Sequence, residues 1–462
     1  MTNSLTYLYN VYRQQLDFFN SGATKGYEFR RAQLQQLKSC IKKNEAAILE
    51  ALQKDLNKSA FEGYVTEIGT VYEEINFALK NLRKWMKPKR VNTPLPLMPS
   101  SSRIYSEPLG VVLIIAPWNY PLQLNLSPLV AAIAAGNTVI LKPSELAVNT
   151  EALLIRLIAE NFDPAYISVT TIDGPTMSNS FIKTNTLGHI VYTGGEAVGK
   201  IIMAAAAEQL TPVTLELGGK SPCIITKSAK LDNAANKVAW SKFTNAGQTC
   251  VAPDYLLVHS LVYDRFIGKL KDAIVKMYGN DAEENPEYPR IINTTHTERI
   301  IALIEKEKLL YGGNYNVASR YIEPTVLSEN ETGSAIMRAE IFGPLLPVFK
   351  YESEQDIVNI VSENKNPLAL YIYGEDQKEI DFVIEKIPFG GGCINNGLIH
   401  VGNVHLPFGG IGSSGIGAYH GQYGFERLSH KKAVMRTATW FDIPVLYPPF
   451  KNKLKWVKKL IK

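Results

Sequence analysis

Between residues 5 and about 86 the apolar positions fall three and four apart. Leu34, Leu37, Ile41, Ile48, Leu49 and Leu52 recur among Lys, Gln and Glu, the stripe of helices that bury one face. The stripe stops at 88–108, where five prolines and several serines predict an extended connector or an edge hairpin. From Gly110 the texture changes again. Val111-Val112-Leu113-Ile114-Ile115 is short, wholly apolar and β-branched, as a central parallel strand must be when both its faces are covered. An apolar, alanine-rich helix is expected at 122–135, then strand at 138–141, helix at 146–160, strands at 167–172 and 189–192, helix at 197–210 and strand at 213–217. Strands alternating with helices of this length predict βαβ units and a nucleotide-binding α/β architecture. After Gly218-Gly219 a second α/β stretch runs to about residue 415, with helices expected at 232–243 and 262–278 and strands at 255–258 and 345–349. A last strand is expected at 432–441.

The chain has 462 residues, enough for two large lobes, each with its own core. Its net charge of +5 is small for that length, and no basic stripe interleaved with aromatics points to nucleic acid. Four scattered cysteines (Cys40, Cys223, Cys250, Cys393) make no disulfide framework and no C-x-x-C pair, which favours a reducing, cytoplasmic setting. The seven histidines show no metal-ligand spacing, so no metal is expected. The first twenty residues lack the apolar core of a signal peptide, and the apolar stretches are too short to span a bilayer. Six lysines lie at 451–462 around Leu454, Trp456, Val457, Leu460 and Ile461. That pattern suits a basic amphipathic helix resting weakly on anionic lipid, the alternative being a solvated tail or one packed on a partner subunit.

Candidate chemistry gathers where strands end. Cys250 sits in Asn245-Ala246-Gly247-Gln248-Thr249-Cys250-Val251-Ala252-Pro253, whose small residues leave the sulfur approachable. A thiol attacks a carbonyl as thiolate, and the oxyanion so formed needs donors aimed at it. Asn119, in Trp118-Asn119-Tyr120-Pro121 after the first parallel strand, offers a side-chain amide. Glu216 ends the apolar strand at 213–217, where burial would raise its pKa toward general-base use. Lys142 and Glu145 follow the second strand. Thr193-Gly194-Gly195 leads into a helix carrying Gly199, which would let a pyrophosphate approach the helix N-terminus. Glu340 and Phe342 (Glu340-Ile341-Phe342-Gly343-Pro344) and Phe408 (Leu406-Pro407-Phe408-Gly409-Gly410) lie in tight loops of the second lobe.

Taken together, in this order along nearly the whole chain, these segments resemble the aldehyde dehydrogenase superfamily. Asn119-Tyr120-Pro121, the Cys250 segment through Tyr255, Ala418-Tyr419-His420-Gly421 and Tyr447-Pro448-Pro449 most resemble its class 3, or fatty-aldehyde, branch. The resemblance implies a Rossmann-like NAD-binding domain (1–86 and 107–217) and an α/β catalytic domain (218–415). It also implies a small β bridging element for oligomerisation (87–106 and 430–442), followed by the basic tail (443–462). Cys250 would be the nucleophile, Glu216 the general base and Asn119 the oxyanion donor. Trp118, Lys142, Glu145, Thr193, Gly194, Gly195, Gly199, Glu340 and Phe342 would hold the cofactor, and Tyr120, Phe408 and His420 would meet the substrate. Gly195 departs from the many relatives that carry Ser or Asn there. The implied reaction is oxidation of medium- to long-chain aliphatic or aromatic aldehydes to acids by a homodimer. Glu145 favours NAD by repelling a 2′-phosphate, and Lys142 leaves NADP open.

Three other readings compete. A non-catalytic dinucleotide-binding scaffold has no need of both Cys250 and Glu216. A thiol hydrolase or acyltransferase needs a histidine beside the thiol, and no histidine segment supplies one. A CoA-acylating aldehyde dehydrogenase replaces water by CoA, whereas a carboxylate at 216 serves hydrolysis.

Overall fold

The computed structural model describes residues 4–442, 444 and 447–460. Met1–Asn3 of the expected first lobe lie outside the described residues, as do Ile443, Val445, Leu446, Ile461 and Lys462 of the expected tail. The first lobe is built on a sheet in the order Gly415–Ile416, Val213–Glu216, His189–Thr193, Val111–Ile115, Thr138–Lys142, Ile167–Val169. All neighbours are parallel except the short Gly415–Ile416 strand, which returns from the second lobe and pairs antiparallel with Val213–Glu216. Numbered along the chain, the five parallel strands lie 3-2-1-4-5. The order therefore reverses between Val111–Ile115 and His189–Thr193, and in such sheets ligands bind in the crevice outside the strand ends at that reversal. The helix Gln123–Ala135 packs behind the reversal and is buried along its whole length, as its predominantly apolar, alanine-rich sequence demands, with Gln123, Asn125 and Ser127 held by local hydrogen bonds.

The second lobe carries a sheet in the order Leu309–Tyr311, Thr325–Ser328, Leu345–Tyr351, Tyr255–His259, Pro222–Ile225, Ala369–Tyr373, Gly391–Ile394. Its strands are parallel apart from Leu309–Tyr311 at the edge. A third, antiparallel sheet of Lys89–Val91, Ser100–Pro108 and Ser429–Thr437 stands apart from both cores. From His430 on, the Ser429–Thr437 strand is exposed.

The expected helical region at 5–86 is interrupted rather than continuous. Helices Leu5–Asn20, Tyr27–Lys43 and Glu45–Leu56 are followed by one turn at Ala60–Gly63, a π-type turn at Tyr64–Ile68 and the helix Gly69–Met86. The expected last strand at 432–441 begins and ends earlier, at Ser429–Thr437, because its register is fixed by pairing Ser429 with Pro108 and Thr437 with Ser100. The lobe boundary expected at 217/218 is crossed in the same way by Gly415–Ile416. Long-range pairing sets both limits, and the local apolar pattern does not carry it.

Candidate active site

Two loops from distant parts of the chain are laced together at the strand-order reversal. One is Ala116–Pro121, leaving the strand Val111–Ile115. The other leaves the helix Leu231–Phe243 and runs through Asn245 (φ 53°), Ala246 (φ 50°) and Gly247 (φ 73°) to Cys250. Three successive left-handed residues are unusual, and a non-glycine there costs about 1–3 kcal/mol unless its surroundings impose it. At Gly247 the reason is steric: a Cβ would lie 2.3 Å from the Gly343 carbonyl oxygen. At Asn245 it is hydrogen bonding. Asn245 Nδ2 donates to the Asn119 carbonyl at 2.9 Å and to the Gln248 carbonyl at 3.1 Å. Asn119 Nδ2 donates to the same Gln248 carbonyl at 3.0 Å, which engages one of its two amide hydrogens. Tyr120 Oη and Thr249 Oγ1 share a hydrogen bond of 2.7 Å, and Tyr371 Oη donates to the Val251 carbonyl at 2.6 Å. The amide of Asn119 and the sulfur of Cys250 are thus held in one rigid assembly.

Cys250 lies between two cavities and borders both. The first, of about 640 Å³, runs along the carboxyl ends of the first sheet and is lined by Trp118, Asn119, Lys142, Glu145, Thr193, Gly194, Gly195, Glu216, Glu340 and Phe342. The second, of about 670 Å³, is lined by Tyr120, Leu124, Trp240, Ile399, Phe408 and Tyr419 among others.

Glu216 is almost wholly buried, and neither of its carboxyl oxygens has a hydrogen-bond partner among the described residues. Burial alone pushes its pKa well above the ordinary carboxylate value,. The Cys250 thiol is also raised, by burial first and then by the negative charges of Glu340 and Glu216. The N–H groups of Cys250 and Val251 pull it back only in part. The Glu340 carboxyl is raised by burial and by Asp254, against the attraction of Lys220 and Lys242.

The first cavity suits a dinucleotide. Gly195 precedes the helix Glu196–Ala207, which has no side-chain cap, and nothing lies within 4 Å of where a Gly195 Cβ would be. The open space leaves the helix N-terminus free to meet a pyrophosphate. Gly199, expected at the phosphates, lies inside the first turn of that helix. A Cβ there would come within 2.7 Å of Leu217 Cδ2, so this glycine serves close packing of helix on strand end. Lys142 Nζ pairs with Glu145 Oε2 at 3.2 Å. Partial burial works against the Glu145 charge, but a backbone N–H of its own loop and Lys142 hold its carboxyl below the ordinary value. Trp118 and Phe342 meet edge to face, with ring centroids 5.3 Å apart.

His420, expected at the substrate entrance, is instead buried beneath the cavity wall, its ring packed on Tyr419 and Phe408 at 4.6 and 5.2 Å. Its Nδ1 faces Glu74 Oε1 at 3.4 Å, and burial lowers its pKa to about 4. Phe408 and Tyr419, by contrast, form part of the wall and exchange two backbone hydrogen bonds. Reading the sequence also missed His296 and Arg299, which lie one turn apart on the helix Thr294–Ile301 and face the first cavity. No glycine or proline punctuation marked that helix as part of a site. Among the described residues no cluster of His, Cys, Asp and Glu could hold a metal ion.

Comparison with known proteins gives a concordant result. The family described as "Aldehyde dehydrogenase family" matches residues 19–434. The 4,4'-diaponeurosporen-aldehyde dehydrogenase of Staphylococcus aureus is 45% identical over 447 residues, 96% of this chain and 97% of the relative. The dimeric NADP-preferring aldehyde dehydrogenase of Canis lupus familiaris is 42% identical over 438 residues, 94% of this chain and 96% of the relative. A solved structure described as the substrate-bound state of Staphylococcus aureus AldH superimposes with a TM-score of 0.96 at 44% identity, covering 98% of this chain and 99% of its own.

Proposed function

The chain belongs to the aldehyde dehydrogenase family, in its class 3 branch, and from that premise we propose that Cys250 attacks aldehydes delivered through the second cavity. The chain is an NAD(P)-dependent enzyme that oxidises aldehydes to carboxylic acids. The observation that carries the assignment of residues is that one sulfur borders both cavities, so a carbonyl bonded to it lies against the cofactor side and the apolar side at once.

In this reading Cys250 adds to the aldehyde carbon as the thiolate, its proton having passed to solvent, and the oxyanion of the thiohemiacetal is met by the free Asn119 amide hydrogen and the Cys250 N–H. A nicotinamide bound in the first cavity supplies the hydride acceptor. Lys142 and Glu145 hold its adenosine end, Gly194 and Gly195 its phosphates, and Glu340, Phe342, Trp118 and Thr193 its nicotinamide end. Loss of hydride leaves the acyl group on Cys250 as a thioester. Glu216 removes a proton from water, the hydroxide adds to the thioester carbon, and the carboxylic acid leaves as the thiol re-forms. Glu145 favours NAD, and its mostly exposed side chain can swing aside for a 2′-phosphate near Lys142, so both cofactors are expected to work.

The second cavity is lined by Val65, Leu124, Trp240, Val251, Ile399 and Phe408, which suits medium- to long-chain aliphatic or aromatic aldehydes. Burial of each methylene is worth about 0.8 kcal/mol, a factor of about four. With an aldehyde panel followed by NADH absorbance, kcat/KM is expected to rise about fourfold per added carbon until the cavity is filled, without any need for CoA. A flat profile would overturn the assignment of the cavity, and dependence on CoA would replace water as the acceptor.

The exposed strand Ser429–Thr437 leaves one edge open to pair with another chain, which supports a homodimer like that named in the canine relative. Cytoplasmic placement rests on four cysteines that are all free thiols,. The helix Leu454–Leu460 exposes Leu454 and Trp456 among lysines, a surface suited to weak contact with anionic lipid. Liposome flotation is expected to lose the protein when residues 451–462 are removed, and equal flotation of both forms would retire the membrane contact.

A further inference from the structure

We infer that Lys58 and Glu67, an ion pair outside the cavity walls, are positioning residues that hold the oxyanion donor Asn119 at its distance from Cys250. The inference rests on the reading of Asn119 given above. Lys58 Nζ donates to Glu67 Oε1 at 2.6 Å and to the Asn119 carbonyl at 2.9 Å. It also stands 3.9 Å from the centroid of the Tyr120 ring. Both side chains have zero exposure. The second oxygen of Glu67 accepts the N–H groups of Leu122 and Gln123 at 2.8 and 3.1 Å. These N–H groups open the helix Gln123–Ala135, which has no side-chain cap of its own. The pair therefore grips the Asn119 loop on both sides: at its carbonyl through Lys58, and where it enters the helix through Glu67.

The same short segment reaches the nucleophile loop. Glu62 Oε1 accepts the N–H of Asn245 at 2.8 Å, the first of the three left-handed residues. Lys58, Glu62 and Glu67 thus hold both loops from one base, which ends in the π-type turn Tyr64–Ile68. Such turns recur at functional sites because they re-aim side chains. Two buried charges are costly to desolvate, so an ion pair is weak evidence of added stability. What this pair does provide is direction. A displacement of about 1 Å at a reacting group can cost about a hundredfold in rate, and Lys58 holds the backbone carbonyl of the residue that carries the amide.

The test is a double-mutant cycle read in the pre-steady-state NADH burst. Lys58→Met leaves Glu67 buried and unpaired, so Lys58→Met/Glu67→Gln is made beside it to keep the fold without an orphan charge. Both are expected to slow the burst ten- to hundredfold while the dissociation constant for NAD and the steady-state KM for a long-chain aldehyde change less than threefold. In an Asn119→Ala background, itself slowed by about a hundredfold, the same Lys58 changes are expected to add less than threefold, because the group they position is gone. Equal slowing in both backgrounds would overturn the positioning role while leaving Asn119 as the donor. An unslowed Asn119→Ala enzyme would overturn the reading of Asn119 and the inference with it. A burst at the wild-type rate in the double variant would overturn the inference alone.

Discussion

Replacing Cys250 with alanine is expected to lower aldehyde oxidation by a factor on the order of 10⁴–10⁶ while leaving the affinity for NAD unchanged. Loss of a nucleophile from a concerted set of catalytic groups has effects of that size, and no other thiol can take its place. Cys40 and Cys223 are buried in the cores, and Cys393 lies on the edge strand Gly391–Ile394 beside His400. The cofactor side of the site should survive, because the first cavity is bounded mainly by Trp118, the strand ends and Glu340. Truncation to a methyl group removes one sulfur from a cavity wall, so thermal melting should move little. Cys250→Ser is expected to be nearly as inactive. The surroundings that already raise a thiol, burial with Glu340 and Glu216 nearby, would hold a serine hydroxyl fully protonated. The measurements are NADH formation with a long-chain aldehyde and a fluorescence titration with NAD. Oxidation at the wild-type rate by the alanine variant would remove Cys250 from the chemistry. Loss of NAD binding would show instead that the sulfur shapes the cofactor cavity.

The first lobe was largely legible in the sequence because each parallel strand is a short apolar run buried on both faces. Val111–Ile115 and Thr138–Lys142 announce themselves through composition alone. The second lobe was less so. Ala369–Tyr373 and Pro222–Ile225 are central strands of its sheet, yet the proline and the two tyrosines blur the pattern, and only neighbours from distant segments make them strands. Gly415–Ile416 could not be assigned locally, since two residues carry no periodicity and their pairing lies 200 positions upstream. The same distinction runs through the site. Cys250, Asn119 and Glu216 stood out because a reactive group follows a strand or a small-residue loop. Lys58 and Glu67 did not, because in sequence they read as ordinary charges on a helical stretch, and only burial against the Asn119 loop gives them meaning. His420 erred in the other direction. Its neighbour Tyr419 forms the cavity wall, and a backbone at φ 85° turns the imidazole behind that wall toward Glu74.

Glu216→Gln is expected to separate the two halves of the reaction. The carboxyl has no hydrogen-bond partner among the described residues, and burial raises its pKa well above the ordinary carboxylate value. It becomes an effective base as pH rises, which places the wild-type steady-state rate on an ascending limb. The amide cannot take a proton from water, so hydrolysis of the thioester should fall about 10²–10⁴-fold, the usual span for general-base catalysis. Acyl transfer to sulfur should persist, because the change leaves Cys250, the Asn119 amide that bonds the Gln248 carbonyl, and the rest of the cofactor cavity in place. The variant should therefore release about one NADH per subunit in a burst and then stall. Stability should move with pH in a linked way. An unfolded glutamate ionises near pH 4.3, whereas the folded carboxyl keeps its proton to higher pH. Above that point the unfolded state binds fewer protons, and the wild type loses stability as pH rises toward the folded value. Glutamine has no such term, so its melting temperature should gain on the wild type as pH rises above about 4.3. A steady state equal to the wild type would assign the base elsewhere, and a parallel pH dependence of melting would show that Glu216 is ionised and compensated in the folded enzyme.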